Sequence, residues 1–337
     1  MHQCDSPRLL GLGVATLDYL FLSPTAPPGG QARLSAYAIE GGGLVATAVV
    51  AAARLGAKTA LRTWIGADDA GGAVLAGLHQ EGVDTAGVHV LAGERTGAAF
   101  IHVEEGSGER TIYFAGCPQP SPAQQARVAE GPLDCDAVLV DAVWPEASLA
   151  LAHKARAEGL PVVGDFCPDP IASARQCRSE PEPEIASARK CRSSARQCRS
   201  DLELASLMTA LIVPRAGAER LAPGASWEDK LGLLSDTGAQ FVAITAGPDG
   251  CYFLDDGKLC HQPAFPVPVV DTTGAGDVFH GAFAYALARG WPVARGMEFA
   301  SAVAALSCRA LGGRRGIPSY HEAAEFLRAH GSQRWQW

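Results

Sequence analysis

Short apolar runs alternate with helix-length amphipathic stretches through most of the chain, and that alternation leaves few folds open. A strand followed by a covering helix can pair with the next strand in parallel only by a crossover, which builds βαβ units. The runs that read as strands are Leu9 to Val14, Thr59 to Ile65, Ala137 to Asp141, Pro161 to Asp165, Leu211 to Val213 and Phe241 to Thr245. Helical spacing covers Leu44 to Leu55, Ala70 to Gln80 and Glu146 to Ala157, closed by Gly56, Gly82 and Gly159. Glycine just past a helix takes the left-handed conformation at little cost. The expected fold class is α/β: a covered, mostly parallel β-sheet with helices on both faces.

Two regions break the rhythm. Arg33 to Ile39 and Ala98 to Phe114 alternate apolar and polar residues around a turn at Glu105-Gly106-Ser107-Gly108, which suits a small β-sheet lid or an ordinary edge hairpin. The other is a repeat: Ile171 to Ser179 returns as Ile185 to Ser193, and Ser194 to Ser200 repeats most of it again. Its period is far too short for a solenoid, so 171–200 reads as a low-complexity insert in a surface loop, an Arg-rich docking segment being the alternative. Deleting 173–200 is expected to leave activity intact. The length of 337 residues then fits one domain over 1–337, with lid strands within about 15–40 and 96–116.

Composition excludes several classes. The net charge is -8, and the insert alone contributes +4, so the rest of the chain carries -12; nucleic-acid binding needs the opposite sign. Hydrophobic residues make up 47% of the chain, too many for disorder. Ten cysteines are scattered without a Cys-x-x-Cys pair, and no basic and apolar leader opens the chain. Thiols are therefore expected to be reduced and the location cytoplasmic. Apolar stretches such as Val45 to Ala53 are too short to span a bilayer, so no membrane association is expected.

The strongest chemical signal is Asp271-Thr272-Thr273-Gly274-Ala275-Gly276-Asp277-Val278-Phe279, followed by a helical pattern through Ala288. Small residues at 274–276 let backbone N–H groups approach an anion at the positive end of that helix. Asp277 stands at the same helix start, where a carboxylate can accept a proton from a hydroxyl attacking phosphorus.

Together with Gly41-Gly42-Gly43-Leu44-Val45-Ala46-Thr47-Ala48 near the other end, this segment makes the chain resemble the ribokinase, or phosphofructokinase-B-type, family of carbohydrate kinases. The resemblance covers nearly everything outside the insert. It implies Asp277 as catalytic base and Gly274, Ala275 and Gly276 as the anion hole. It implies Asp18, Gly42 and Gly43 as sugar-binding positions, and Thr245, Gly247 and Gly250 in the nucleotide-binding turn. Asp271, Thr273, Gly312 and Gly316 match positions that hold a monovalent cation, potassium, in family members. ATP, Mg2+ and a small sugar are the implied ligands, and lid strands that pair between subunits imply a homodimer.

Details near Ala46, His261 to Phe265, Val278 to Ala282 and Gly312 to Pro318 look most like the sulfofructose kinase branch. Gln31, Ser35 and Val143 stand where a sulfonate would call for strong donors, so a ketose-like substrate is favoured over a sulfonated one. Two departures stand out: Ala46 replaces a frequent asparagine, and Pro214 to Glu219 replaces Asn-x-x-Glu, with Glu219 one place along as a substitute. His280 reads as a core residue before a substrate contact, His261 as a solvated loop residue, and Arg314-Arg315 as an exposed pair before a phosphate contact. The expected activity is ATP-dependent phosphorylation of a sugar hydroxyl; the alternatives are a metabolite-binding protein on the same fold or a nucleoside kinase.

Overall fold

A computed structural model describes residues 6–24, 31, 33–165, 200–332 and 335. The repeat, Ser200 apart, lies outside the described residues. Two sheets organise the molecule. The larger has the order β13-β12-β11-β10-β9-β8-β1-β4-β5. Its members are β1 (Arg8–Leu12), β4 (Lys58–Gly66), β5 (Asp84–Leu91), β8 (Ala137–Asp141), β9 (Val162–Asp165), β10 (Ala210–Pro214), β11 (Phe241–Thr245), β12 (Cys251–Asp255) and β13 (Lys258–Gln262). Every pairing from β5 to β11 is parallel, and β12 and β13 close one edge antiparallel.

Neighbouring residues along the central strands enter opposite cores. Leu9, Leu139, Val163, Ile212 and Ala243 join one core, while Leu10, Val140, Val162, Leu211 and Val242 join the other. A strand buried on both faces needs an uninterrupted apolar run, which is why these strands are legible as such. The first core is covered by α1 (Leu44–Arg54), α7 (Ala275–Ala288) and α8 (Val293–Ser307); the second by α4 (Pro145–Ala157) and α6 (Trp227–Ser235). Gly281 lets α7 press onto α1: a Cβ there would lie 2.1 Å from the Ala48 carbonyl oxygen.

The small sheet runs β3-β2-β6-β7, from β2 (Thr16–Ser23), β3 (Ala36–Gly42), β6 (Gly97–Glu104) and β7 (Arg110–Phe114). The alternating segments thus form a separate sheet rather than an edge hairpin. Leu20, Ala38, Ala99, Ile101 and Val103 give it a core of its own. The structure corrects the reading of His261 as a loop residue. It lies on β13, stacks on Tyr252 at 4.4 Å and places Nε2 2.7 Å from the Asp249 carbonyl oxygen.

Candidate active site

Strand ends of the large sheet, the start of α7 and the inner face of the small sheet converge on one cleft. The turn before α7 is set by Asp271, fully buried, whose Oδ1 accepts the Thr273 N–H and whose Oδ2 accepts the Gly312 N–H, each at 2.8 Å. Gly274 then caps the helix with φ 70°, a left-handed conformation that a side chain would strain. Its missing Cβ also makes room for Gly313, whose Cα would stand 2.9 Å away. The Ala275 N–H lies 3.2 Å from the Thr272 carbonyl, whereas nothing stands within 4 Å of a Cβ built on Gly276. The amides of a helix's first turn have no acceptor within the helix, so the open side at Gly276 is where an anion can approach.

Asp277 follows in that first turn. Burial pushes its carboxyl well above the usual range, and Asp165 at the end of β9, which hydrogen-bonds it, pushes in the same direction. Arg110 opposes both, and Asp18 adds to the rise. Asp18 is itself raised by burial, against a 2.6 Å hydrogen bond from the Thr16 hydroxyl and the charge of Arg314. Gly42 exists for this carboxylate: a Cβ there would fall 2.0 Å from Asp18 Oδ2. Gly43, at φ 92°, starts α1 with no room for a side chain beside the Val14 carbonyl.

Asp141, at the end of β8, was not singled out by any motif. Its Oδ2 accepts the Val14 N–H at 2.7 Å and its Oδ1 the Val143 N–H at 3.0 Å, and burial pushes it up to about 7. Asp165 escaped notice for the same reason, since acidic residues ending strands carry no local pattern.

The reading of Arg314 as exposed is corrected. It is 4% exposed, donates to the Gly42 carbonyl at 3.0 Å, and takes its place beside Asp18 and Glu40. Its own backbone N–H donates to Glu40 Oε1 at 3.0 Å. Gly41 leaves the space that the guanidinium fills, with Nη1 2.4 Å from a Cβ built there. Arg315 does face solvent, with its Nε 3.7 Å from Glu40. His280 is buried, with its ring set between two carbonyls.

The nucleotide-turn positions lie together at the end of β11. Gly247 and Gly250 both have positive φ, and a Cβ on Gly250 would meet the Gln262 carbonyl at 2.1 Å. Arg215 ion-pairs with Asp249 in this turn and lies over the Trp227 ring. Glu219 does not reach the cleft: it pairs with Lys230 and accepts the Gly224 N–H at 3.2 Å. Gly316, whose Cβ would lie 2.1 Å from the Ser307 carbonyl, packs on the end of α8 rather than on the Asp271 carboxylate. Among the described residues no group of three or more His, Cys, Asp or Glu is placed to hold a metal ion. No described helix is long and apolar enough to cross a membrane.

The small sheet touches the turn before α7 directly. Thr272 Oγ1 donates to the Gly108 carbonyl at 3.0 Å, and Arg110 Nη1 donates to Thr272 Oγ1 at 2.7 Å. An open helix start, a half-buried carboxyl and a second sheet thus meet at one place. The profile of the pfkB family of carbohydrate kinases matches residues 16–319, and the chain belongs to that family, whose members transfer phosphate to a hydroxyl. It is similar to the ribokinase of Haemophilus influenzae, 29% identical over 325 residues that cover 94% of this chain and 97% of that one. A crystal structure of a provisionally assigned ribokinase from Agrobacterium tumefaciens superposes with a TM-score of 0.77 at 29% identity, covering 97% of this chain and 99% of that one. An Arabidopsis thaliana ribokinase complexed with ribose and ATP shares the fold, with a TM-score of 0.73 at 22% identity over 96% of this chain and 99% of that one. The protein is a sugar kinase of this family, for which ATP and Mg2+ are the expected donor and metal.

Proposed function

We propose that the enzyme phosphorylates a hydroxyl of a small, ketose-like sugar or sugar derivative, with Asp277 as general base. The observation that carries this is the placement of the half-buried Asp277 carboxyl at the open start of α7, within electrostatic reach of Asp18 and Arg110 on the small sheet. Asp18 orients the sugar, held by Thr16 and by the close approach that Gly42 permits, with Gly43 beside it as a second sugar-binding position. Asp277 accepts the proton as the sugar oxygen attacks the γ-phosphorus. Amides at Gly274, Ala275 and Gly276 stabilise the charge on the transferring group, and the turn at Thr245, Gly247 and Gly250 cradles the nucleotide. Mg2+ would be held mainly by the ATP phosphates and water, and would offset the charge on the transferring group.

The turn at 271–273 fits a large monovalent cation in one respect: the Thr273 hydroxyl is buried without a partner among the described residues. Both Asp271 oxygens already accept backbone N–H groups, so potassium would share them. Comparing turnover in potassium and in choline salts tests this.

Purified enzyme with MgATP and a panel of sugars tests the main reading, and it identifies the substrate. Asp277→Asn is expected to lose about 10²- to 10⁴-fold in kcat. A variant that stays within about tenfold of the parent rules out the base assignment.

A further inference from the structure

We propose that Glu40 is a positioning residue that ties the strand pair carrying Asp18 to the turn before α7, and so sets the distance between the sugar and the phosphoryl group. This rests on reading Asp18 and the 274–276 amides as the sugar and phosphate positions. Glu40 stands directly opposite Asp18 in the register of β2 and β3, so the two side chains share one face of the small sheet. The Glu40 side chain is only 12% exposed. Its Oε1 accepts the Arg314 N–H at 3.0 Å. The Arg314 side chain returns to the same strand and donates to the Gly42 carbonyl at 3.0 Å, through the space that Gly41 leaves open. A strand carboxyl thus grips the loop's backbone while the loop's guanidinium grips the strand's backbone. Leu311, just before them, packs on the small sheet's core. These contacts together fix the loop against β3 in both position and orientation.

The same loop is held on its other side by the turn. The Gly312 N–H donates to Asp271 Oδ2 at 2.8 Å, and Asp271 Oδ1 accepts the Thr273 N–H at 2.8 Å, one residue before Gly274. Gly312 is fitted between the two carboxyls: its φ is 105°, which strains a side chain, and a Cβ there would fall 2.3 Å from Glu40 Oε1. From the strand opposite Asp18 to the residue before Gly274, every step is therefore a hydrogen bond or a stretch of backbone. Phosphoryl transfer tolerates little slack in this path, since a misplacement of about 1 Å can cost about 10²-fold in rate. Two groups borne by different sheets keep that tolerance only where the sheets are tied together. Glu40 acts through Asp18 and the loop. Its Oε2 lies 3.7 Å from Nε of the exposed Arg315, a contact that adds little at the surface. The hydrogen bond, not the charge, is what Glu40 contributes.

Hydrogen exchange of the full chain without ligand, followed amide by amide, reads the tie independently of any substrate. Rates are taken relative to the Val140 amide in β8, so that a global change in stability cancels. In Glu40→Ala the Gly312 and Thr273 amides should exchange about fivefold faster than in the parent, the effect of one lost hydrogen bond. Glu40→Gln still presents an oxygen to the Arg314 N–H and should keep both amides within about twofold. Unchanged exchange at Thr273 in Glu40→Ala overturns the proposal. With a sugar substrate in hand, Glu40→Ala should lower kcat for the sugar about tenfold while sugar-independent ATP hydrolysis falls by less than about threefold, and Glu40→Gln should restore about a third or more of the parent's kcat. A parallel fall of both activities overturns the positioning role and leaves Glu40 a packing residue. A parent that phosphorylates no sugar counts against the proposed activity alone, because the exchange rates still decide the tie. If Glu40→Ala fails to fold, Glu40→Met, closer in volume, replaces it in both arms.

Discussion

Asp277 sits in a helix's first turn with Asp165 against it, and burial first, then that neighbour, raise its carboxyl well above the usual range. A proton acceptor works only when unprotonated, so a raised value shifts the acid limb of kcat/KM to higher pH than an ordinary carboxylate, near 4, would give. Asp165→Asn removes a negative neighbour and is expected to bring that limb back down; a pH profile of both enzymes reads it. Arg314 offers a second test at single-residue scale. Its guanidinium is enclosed with Asp18, Glu40 and the Gly42 carbonyl, so Arg314→Met takes the positive charge away from the buried Asp18 carboxyl. Losing the hydrogen bond to the Gly42 carbonyl in a buried site costs about 1–3 kcal/mol, visible as a lower urea midpoint, and a weakened Asp18 should raise KM for the sugar more than KM for ATP. Asp277 was legible because the run of small residues before it marks a helix start, whereas Asp18 came only from the family resemblance. Arg314, Asp141 and Asp165 were not legible, since their roles depend on partners far along the chain, 127 residues away for Asp141 and Val14, or on burial that no local pattern reveals.

At the level of elements, glycine chemistry separates packing from propensity. Gly281→Val would drive methyls into the Ala48 carbonyl where α7 crosses α1, and overpacking of this kind costs about 1–3 kcal/mol. Gly72, in α2 (Asp69–Gln80), is exposed with nothing within 4 Å of its absent Cβ. Gly72→Ala should therefore stabilise by about 0.5–1 kcal/mol through helix propensity alone. Thermal denaturation of the two variants should show opposite signs. The same logic explains which strands could be read in advance. β8 and β11 are bounded where expected because both faces are buried and the apolar run is continuous. β5 is half exposed, with Gly87 interrupting its alternation, and β12 and β13 form an antiparallel edge with polar residues on both sides of a tight turn. An edge strand has only one neighbour to satisfy, and its sequence is correspondingly less constrained.

Across the whole molecule, the small sheet has two unlike faces. Asp18 and the buried Leu20 lie on the inner one, while register places Tyr19, Ile39, Phe100 and Tyr113 together on the outer one. Tyr19 and Phe100 stack at 5.0 Å, and Ile39, Phe100 and Tyr113 are 52%, 44% and 62% exposed. An apolar patch of this kind on an acidic protein favours a second copy of the same sheet as its cover, which is the homodimer we propose. Sedimentation of the parent should give twice the chain mass, and Ile39→Asp should return a monomer.

The lid and the phosphate cradle share a residue. Thr272 accepts from Arg110 and donates to the Gly108 carbonyl, two positions before Gly274. Any lift of the β6–β7 turn must break both bonds at a side chain rooted in the catalytic turn. If the small sheet opens to release product, that opening and the loosening of the turn would be one event rather than two. Thr272→Val, which keeps the volume and loses the latch, should uncouple the two and raise ATP hydrolysis without sugar relative to sugar phosphorylation.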